Sequence, residues 1–339
     1  MPDTKKKLVE VGGLHTLRPE EFVEAQQLID RNMRPNEVLS MADDFPLLVG
    51  KMATTRRIVI KDDGHIVAHA ASYGHLVAAP NGRPWQLCNI GAVCCDRAAR
   101  GRGYATHLVE RLLTEAIGNG DGAAILWTSE PKFYERLGFE PVGHEVQFDV
   151  SAACVADEPE FAINNFGPHH LSEILSFRHR EYFAIKRSTS VGSCLFNLPC
   201  SSTYVAEEGG HVLAYLTFGK GLDFHNTVCE WGGAIDVLPA LLRHVMAERN
   251  QASIPMIGPA HDSEYVNMFT HRQCPRQDAP VAWLKILTPR ALELGFPDLA
   301  STIRQTPAEL LPTKLFGDVR SIQFGRLPIP FYVWGLDSM

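Results

Sequence analysis

Apolar positions recur along the chain with two periods, and the alternation of these periods predicts the order of elements. Residues 87–95 form an almost unbroken apolar run, the pattern of a strand buried on both faces. The polar, glycine-rich stretch Asp96-Arg97-Ala98-Ala99-Arg100-Gly101-Arg102-Gly103 follows. From Ala105 onward the apolar residues fall at Leu108, Val109, Leu112, Leu113, Ala116 and Ile117. That i, i+3, i+4 spacing predicts an amphipathic helix, which Gly118-Asn119-Gly120 ends. A second apolar strand over 123–127 and a short helix stopped by Gly138 complete the unit. Upstream, residues 19–33 read as a first helix, and strands 57–60 and 65–70 flank Asp62-Asp63-Gly64, a hairpin signal. A second turn is expected at Pro80-Asn81-Gly82, and Gly91 inside its strand predicts a bulge. Residues 145–150 are expected to close this sheet.

The plan then repeats. Asp63-Gly64-His65-Ile66-Val67-Ala68 has its counterpart in Gly209-Gly210-His211-Val212-Leu213-Ala214. Leu238, Leu241, Leu242, Val245 and Met246 predict a helix matching the one after the glycine-rich loop. Strand 254–257 and a short helix at 265–269 follow it, and a helical stretch at 170–182 precedes it. The aromatic, apolar end of the chain predicts a docked terminus.

Composition narrows the classes. At 339 residues, 45% of them hydrophobic and 21% charged, the chain is a globular protein with room for two cores. No apolar run approaches a membrane span, and the first residues lack a signal-like apolar core. The eight cysteines form no Cys-x-x-Cys pair, so we expect reduced thiols, a cytoplasmic location and no metal site. A net charge of −7 argues against nucleic-acid binding.

Chemistry concentrates at the glycine-rich loop. A helix N-terminus presents unpaired N–H groups and about half a positive charge. Gly101 and Gly103 let the backbone approach a ligand, and three arginines outweigh Asp96. A phosphate or pyrophosphate is the anion expected there.

With Ala92-Val93 ahead of Arg100-Gly101-Arg102-Gly103, and Phe133-Tyr134-Glu135-Arg136-Leu137-Gly138-Phe139 behind it, the chain resembles the GNAT superfamily of acyl-CoA-dependent N-acyltransferases. In that family's usual register the loop's leading Gln or Arg falls on Ala98; a shift of two gives Arg100-x-x-Gly103-x-Ala105. The resemblance implies an α/β (α+β) fold: a mixed, mostly antiparallel sheet flanked by helices, here in two tandem copies with a short C-terminal segment. We assign residues 1–150 to a catalytic unit, 151–286 to a degenerate copy and 287–339 to the extension. Acetyl-CoA is the implied co-substrate, held by Ala92, Val93, Arg100, Gly101, Arg102, Gly103, Tyr104 and Ala105. The two central strands are expected to splay at the bulge, with the pantetheine arm in the gap. Tyr134 has the place of the general acid.

The region of Asp43, Asp44 and Phe45 is implied to shape the cleft for an amine acceptor, a small molecule or a lysine. Many relatives carry a carboxylate base on the strand before the loop, but Gln86, Leu87, Cys88 and Asn89 offer none. His69, His75, Glu130 and water relays are alternatives. So is the terminal carboxylate of Met339, because tandem halves with an extension are similar to the Eis group, although this extension is shorter. In the second copy Glu230-Trp231-Gly232-Gly233-Ala234-Ile235-Asp236 replaces the basic loop, and Val266 falls at the place of Tyr134. Its carboxylates are expected to repel an anionic cofactor, leaving a wall for the substrate cleft. Two other functions stay open: an acyl-CoA sensor without transfer, and transfer of another acyl group or to a non-amine acceptor.

Overall fold

The apolar runs become strands and the 3.6-period stretches become helices in a computed structural model that describes residues 13–51, 55–78, 83–155, 161–178, 181–317 and 329–338. The predicted turn at Pro80-Asn81-Gly82 and the terminal Met339 lie outside the described residues. Strands of the first half are β1 (Leu14–Thr16), β2 (Arg56–Asp62), β3 (His65–Ala78), β4 (Trp85–Cys95), β5 (Ala123–Leu126), β6 (Glu140–Val142) and β7 (Glu145–Ser151). Those of the second are β8 (Ala162–Asn165), β9 (Ala184–Lys186), β10 (Ser202–Glu208), β11 (His211–Phe218), β12 (Val228–Gly233), β13 (Ser253–Pro259), β14 (Arg276–Ala279) and β15 (Ala282–Ile286). The helices that position the site are α1 (Phe22–Met33), α2 (Met41–Asp44), α3 (Pro46–Val49), α4 (Tyr104–Asn119), α5 (Pro131–Glu135), α6 (Leu171–Arg178), α7 (Thr189–Leu195), α8 (Leu238–Arg249) and α9 (Ser263–His271).

Two sheets form, and the halves exchange strands between them. One sheet runs β1-β2-β3-β4-β5-β15-β6, with β9 also on β3; the other runs β14-β7-β13-β12-β11-β10-β8. All pairs are antiparallel except β4 with β5 and β12 with β13. Strand β7 therefore does not close the first sheet as expected. It pairs with β13, Val150 opposite Ile254, while β15 inserts between β5 and β6. The reason is packing. Val146, Phe148 and Val150 alternate inward, and Phe148 meets Tyr265 edge to face at 5.5 Å and Phe269 at a tilt at 5.6 Å. Alternation fixes which face of a strand is buried but not which sheet buries it. One apolar core consequently spans both halves.

The internal repeat is visible in contacts. Both hairpins shift register at the same place, between Ile60 and Lys61 and between Ala206 and Glu207. Glu24 of α1 accepts from Ile66 N at 2.8 Å, and Glu173 of α6 accepts from Val212 N at 2.9 Å. The chain's end docks as its pattern predicts: Ile329, Phe331, Tyr332, Val333, Trp334 and Leu336 are buried. Among the described residues no helix is long and apolar enough to cross a membrane.

Candidate active site

The site begins where β4 and β5 part. Their ladder holds Leu87, Cys88 and Asn89 against Ala123, Ala124 and Ile125 and then stops, although β4 continues to Cys95. An extra residue on β4 drives the divergence. His69 pairs with Cys94 and Ala71 with Gly91, so β4 carries one residue more than β3 across this interval. The left-handed residue is Ala92, at φ +49, next to the glycine that the sequence singles out. His69 Nδ1 sits 2.9 Å from Ala92 O. Burial and the neighbouring Arg57 push its imidazole down to about 3, so a neutral ring braces the bulge.

Past the bulge, Gly101 and Gly103 both adopt φ +80, a conformation that other residues enter at a cost. Gly103 precedes the first turn of α4 and supplies no side-chain cap. The preceding turn, by contrast, is capped: Asp96 accepts from Ala98 N at 3.2 Å and binds Arg31 at 2.7 Å. The N–H groups at the head of α4 border a cleft of about 780 Å³. Val93, Cys94 and Cys95 line one side, Ala99, Arg100, Gly101, Gly103, Tyr104, Ala105 and Thr106 the floor, and Ser129, Glu130, Phe133 and Arg136 the far wall. Asn32 and Met33 of α1 close it.

Arg100 stays at the cleft by binding Asn32 Oδ1 at 3.0 Å and Cys95 O at 3.3 Å. Arg102 turns to Asp62 at 2.6 Å and Ala92 is buried; neither lines the cleft. Tyr134 is buried behind Phe133, with ring centroids 4.8 Å apart, and burial pushes its phenol up to about 12. Arg136 and Phe133 are lining residues that the sequence reading passed over. Their i, i+3 spacing would have placed both on one face.

On the acceptor side the three predicted residues separate. Asp43 accepts from Ser40 N at 2.8 Å and caps its own helix. Asp44 is buried, binds Arg34 Nε at 2.8 Å and leaves Oδ1 without a hydrogen-bond partner among the described residues. It lines a second cleft of about 270 Å³ between the halves, with Arg34, Glu37, Val38 and Leu39 facing Cys200, Gly221, Leu222 and His225. Gly221 is required there, because a Cβ would lie 2.1 Å from the Asp44 carboxyl. Phe45 packs beneath the Lys220 ammonium, 4.3 Å from the ring centroid. The end of α1 divides the clefts, with Met33 facing the larger and Arg34 the smaller.

The chain's end reaches this seam. Lys220 Nζ donates to Gly335 O at 2.8 Å, to Leu336 O at 3.4 Å and to Ser338 O. Arg187 grips both Asp337 and Glu230. The expected repulsion of a cofactor by Glu230 does not hold: it is a buried strand residue, paired with Arg187 and accepting from Tyr215 OH at 2.9 Å. A second correction concerns Val266. Counted back from the left-handed residue ending each helix, Gly138 and Gln273, the counterpart of Tyr134 is Phe269. Phe139 N bonds Tyr134 O at 3.1 Å just as Cys274 N bonds Phe269 O at 3.0 Å. α9 is longer than α5 at its front, so the two helices correspond only from their C-terminal ends.

Comparison with known proteins bears on the domain and the fold. Residues 14–142 match the family described as the acetyltransferase (GNAT) domain. A conserved protein of unknown function from Enterococcus faecalis, described as a probable N-acyltransferase, superposes with a TM-score of 0.67 at 13% identity, over 82% of this chain and 73% of that one. A GCN5-related N-acetyltransferase from Kribbella flavida gives 0.61 at 15% identity, over 82% and 71%. Eis1 from Mycobacterium abscessus gives 0.56 at 18% identity, over 81% and 73%. Among curated proteins, none matches the sequence. Fold and loop together define an acyltransferase class that uses an acyl-CoA co-substrate. Residues 14–142 form a GNAT acetyltransferase domain, within a fold of two GNAT-like units in tandem.

Proposed function

We propose that the protein transfers the acetyl group of acetyl-CoA to a primary amine, on a small molecule or a lysine, by direct attack in a ternary complex. The observation that carries this reading is the uncapped head of α4, behind two left-handed glycines, opening on the cleft where β4 and β5 diverge. Gly101, Gly103, Tyr104 and Ala105 offer main-chain donors to the pyrophosphate, and Arg100 adds charge. Arg102 lends its charge from outside the cleft. The pantetheine lies between the strands, and the Val93 N–H, next to Ala92, meets the thioester oxygen and binds more strongly as that oxygen gains charge.

The amine lone pair forms the C–N bond, the C–S bond breaks, and the thiolate takes up a proton as nitrogen sheds one. Tyr134, a neutral phenol, hands its own proton to the thiolate and is restored by the one that the base takes from nitrogen, an assistance worth on the order of a hundred- to ten-thousand-fold. The Met339 carboxylate is the proposed base; in support, Ser338 before it is buried and its carbonyl is held by Lys220. Asp44 and Phe45 flank the acceptor's path at the seam, with Asp43 shaping the turn. No step calls for a metal. Eight unpaired cysteines fit the reducing cytoplasm.

The absence of a carboxylate at residues 86–89 favours one rival, an acyl-CoA sensor. Calorimetry with acetyl-CoA and thiol release with a panel of amines separate the two. A transferase binds acetyl-CoA and releases CoA faster with an amine, and Tyr134→Phe slows that release. Tight binding with no acceleration by any amine identifies the sensor, and no heat from acetyl-CoA ends both readings.

A further inference from the structure

Asn89 is the last residue of β4 in register with β5. It is fully buried, and among the described residues neither Oδ1 nor Nδ2 has a hydrogen-bond partner. His75 on β3 is also buried, and its Nε2 is likewise unpartnered. Tyr73 lies opposite Asn89 and His75 opposite Leu87, so the three side chains project from one face. Diagonal neighbours of this kind have Cβ atoms roughly 7–8 Å apart. A carboxamide and an imidazole reaching inward from such positions bracket one small polar group. Burying a polar atom without a partner destabilises a fold, because its bonds to water are lost and not replaced. Three on one face, beside the point where the strands split, call for a ligand.

The charged groups around them balance. Asp337, Arg187 and Lys220 face His75, and Asp337 and Cys194 face Tyr73. Arg187 is neutralised by Asp337 and Glu230, and Lys220 is held by main-chain carbonyls. Burial above all, with Arg187 and Lys220 beside it, pushes His75 down to about 4. The imidazole is therefore neutral at pH 7. It rests against the Asp337 main chain, which leaves Nε2 to accept.

We propose that Asn89 and His75 form the seat of the reacting amine, with Asn89 Oδ1 and His75 Nε2 accepting the two N–H bonds of a neutral primary amine. The nitrogen lone pair then faces the thioester carbon. This inference rests on the N-acetyltransferase reading and specifies the form in which the acceptor binds. An ammonium would bring a third donor and a charge that neither Asn89 nor a neutral His75 can pair, so the seat takes the free base. During transfer one of the two N–H bonds breaks, its proton passes to the proposed base, and Tyr134 protonates the thiolate. Asn89 and His75 begin and end uncharged.

Butylamine is the probe, assayed with acetyl-CoA from pH 6 to 9. Asn89→Leu keeps the branched shape and removes both orphaned atoms. We expect its acetyl-CoA affinity within about twofold of wild type, an undiminished melting temperature, and kcat/KM for butylamine lowered about ten- to a hundredfold, as for one to two lost hydrogen bonds. His75→Phe follows the same pattern. In the wild type, KM falls about tenfold per pH unit while the probe is mostly protonated. Asn89→Asp flattens that slope, because its carboxylate accepts the ammonium. Unchanged kcat/KM in Asn89→Leu, or a wild-type KM indifferent to pH, overturns the seat while leaving acetyl transfer intact. If the wild type fails to bind acetyl-CoA, the parent reading falls instead.

Discussion

Arg187 and Asp337 lie 150 residues apart and are joined by two hydrogen bonds, Nε to Oδ1 at 2.8 Å and Nη2 to Oδ2 at 2.7 Å, inside the protein. The same guanidinium donates to Glu230 at 2.8 and 2.6 Å, and none of the three side chains is more than 2% exposed. One cation thus ties the second sheet to the chain's end. The pairing holds Asp337 ionised, its pKa lowered against the effect of burial by the Arg187 charge.

Arg187→Met strands two carboxylates in the core, and the expected loss is about 3–5 kcal/mol of unfolding free energy. The triple variant Arg187→Met, Glu230→Met, Asp337→Leu removes every charge and is expected to recover most of that loss. Urea denaturation of the three proteins measures it. A triple variant no more stable than the single one would show that the network is not a set of compensating charges.

Lys220 gives a pH-dependent expectation. Burial lowers its pKa to about 8 from 10.5, against the pull of Cys229, Asp223 and Asp337. Above pH 8 the folded amine loses its charge and its carbonyl contacts at Gly335, Leu336 and Ser338 weaken. Trimming of the C-terminus by carboxypeptidase is therefore expected to speed up from pH 7 to 9 in the wild type. Lys220→Met, lacking the donor, is trimmed about tenfold faster at pH 7, as for one lost hydrogen bond to a charged group, and shows no such rise. Equal rates in the two proteins at pH 7 would count against the clamp.

The sequence and the structure agree most where a local rule governs. The helix over 104–119 follows from its apolar stripe, its left-handed glycines and its C-terminal glycine, and the hairpins follow from their turn residues. The cleft floor was legible for the same reason, because Gly101 and Gly103 are positions where the backbone itself makes the site. Partnership across the chain was not legible. Nothing local tells β7 to leave its sheet for β13, or Glu230 to meet Arg187 instead of solvent. The orphaned Asn89 looked unhelpful in the sequence because it is not a carboxylate; only its burial without partners gives it meaning.

Arg100 and Arg102 look equivalent in the sequence and are not. Arg100 lines the cleft, whereas Arg102 is committed to Asp62 on the surface. Arg100→Glu is expected to weaken acetyl-CoA binding about ten- to a hundredfold, and Arg102→Glu by less than about threefold, since an exposed charge is largely screened. Calorimetry at low and physiological salt checks both, with the Arg102 effect shrinking further as salt rises. Equal losses would put the phosphates outside the cleft.

Glu145 sets the direction in which stability changes with pH near neutrality. Burial raises its carboxyl to about 7 from 4.5, opposed by the Tyr332 hydroxyl, which donates to Oε2 at 2.9 Å. Because the folded pKa lies above the unfolded one, the folded state holds this proton more tightly. Its contribution is fully present below pH 4.5 and is lost as pH rises through about 7. At about 1.4 kcal/mol per pKa unit the change amounts to about 3 kcal/mol. Glu145→Gln keeps the hydrogen-bonded shape without the titration. The wild type is therefore expected to lose stability relative to this variant between pH 5 and pH 8, and at pH 8 the variant is the more stable of the two. Urea midpoints at both pH values decide it, and parallel pH dependences in the two proteins would show that Glu145 keeps its ordinary acidity in the fold.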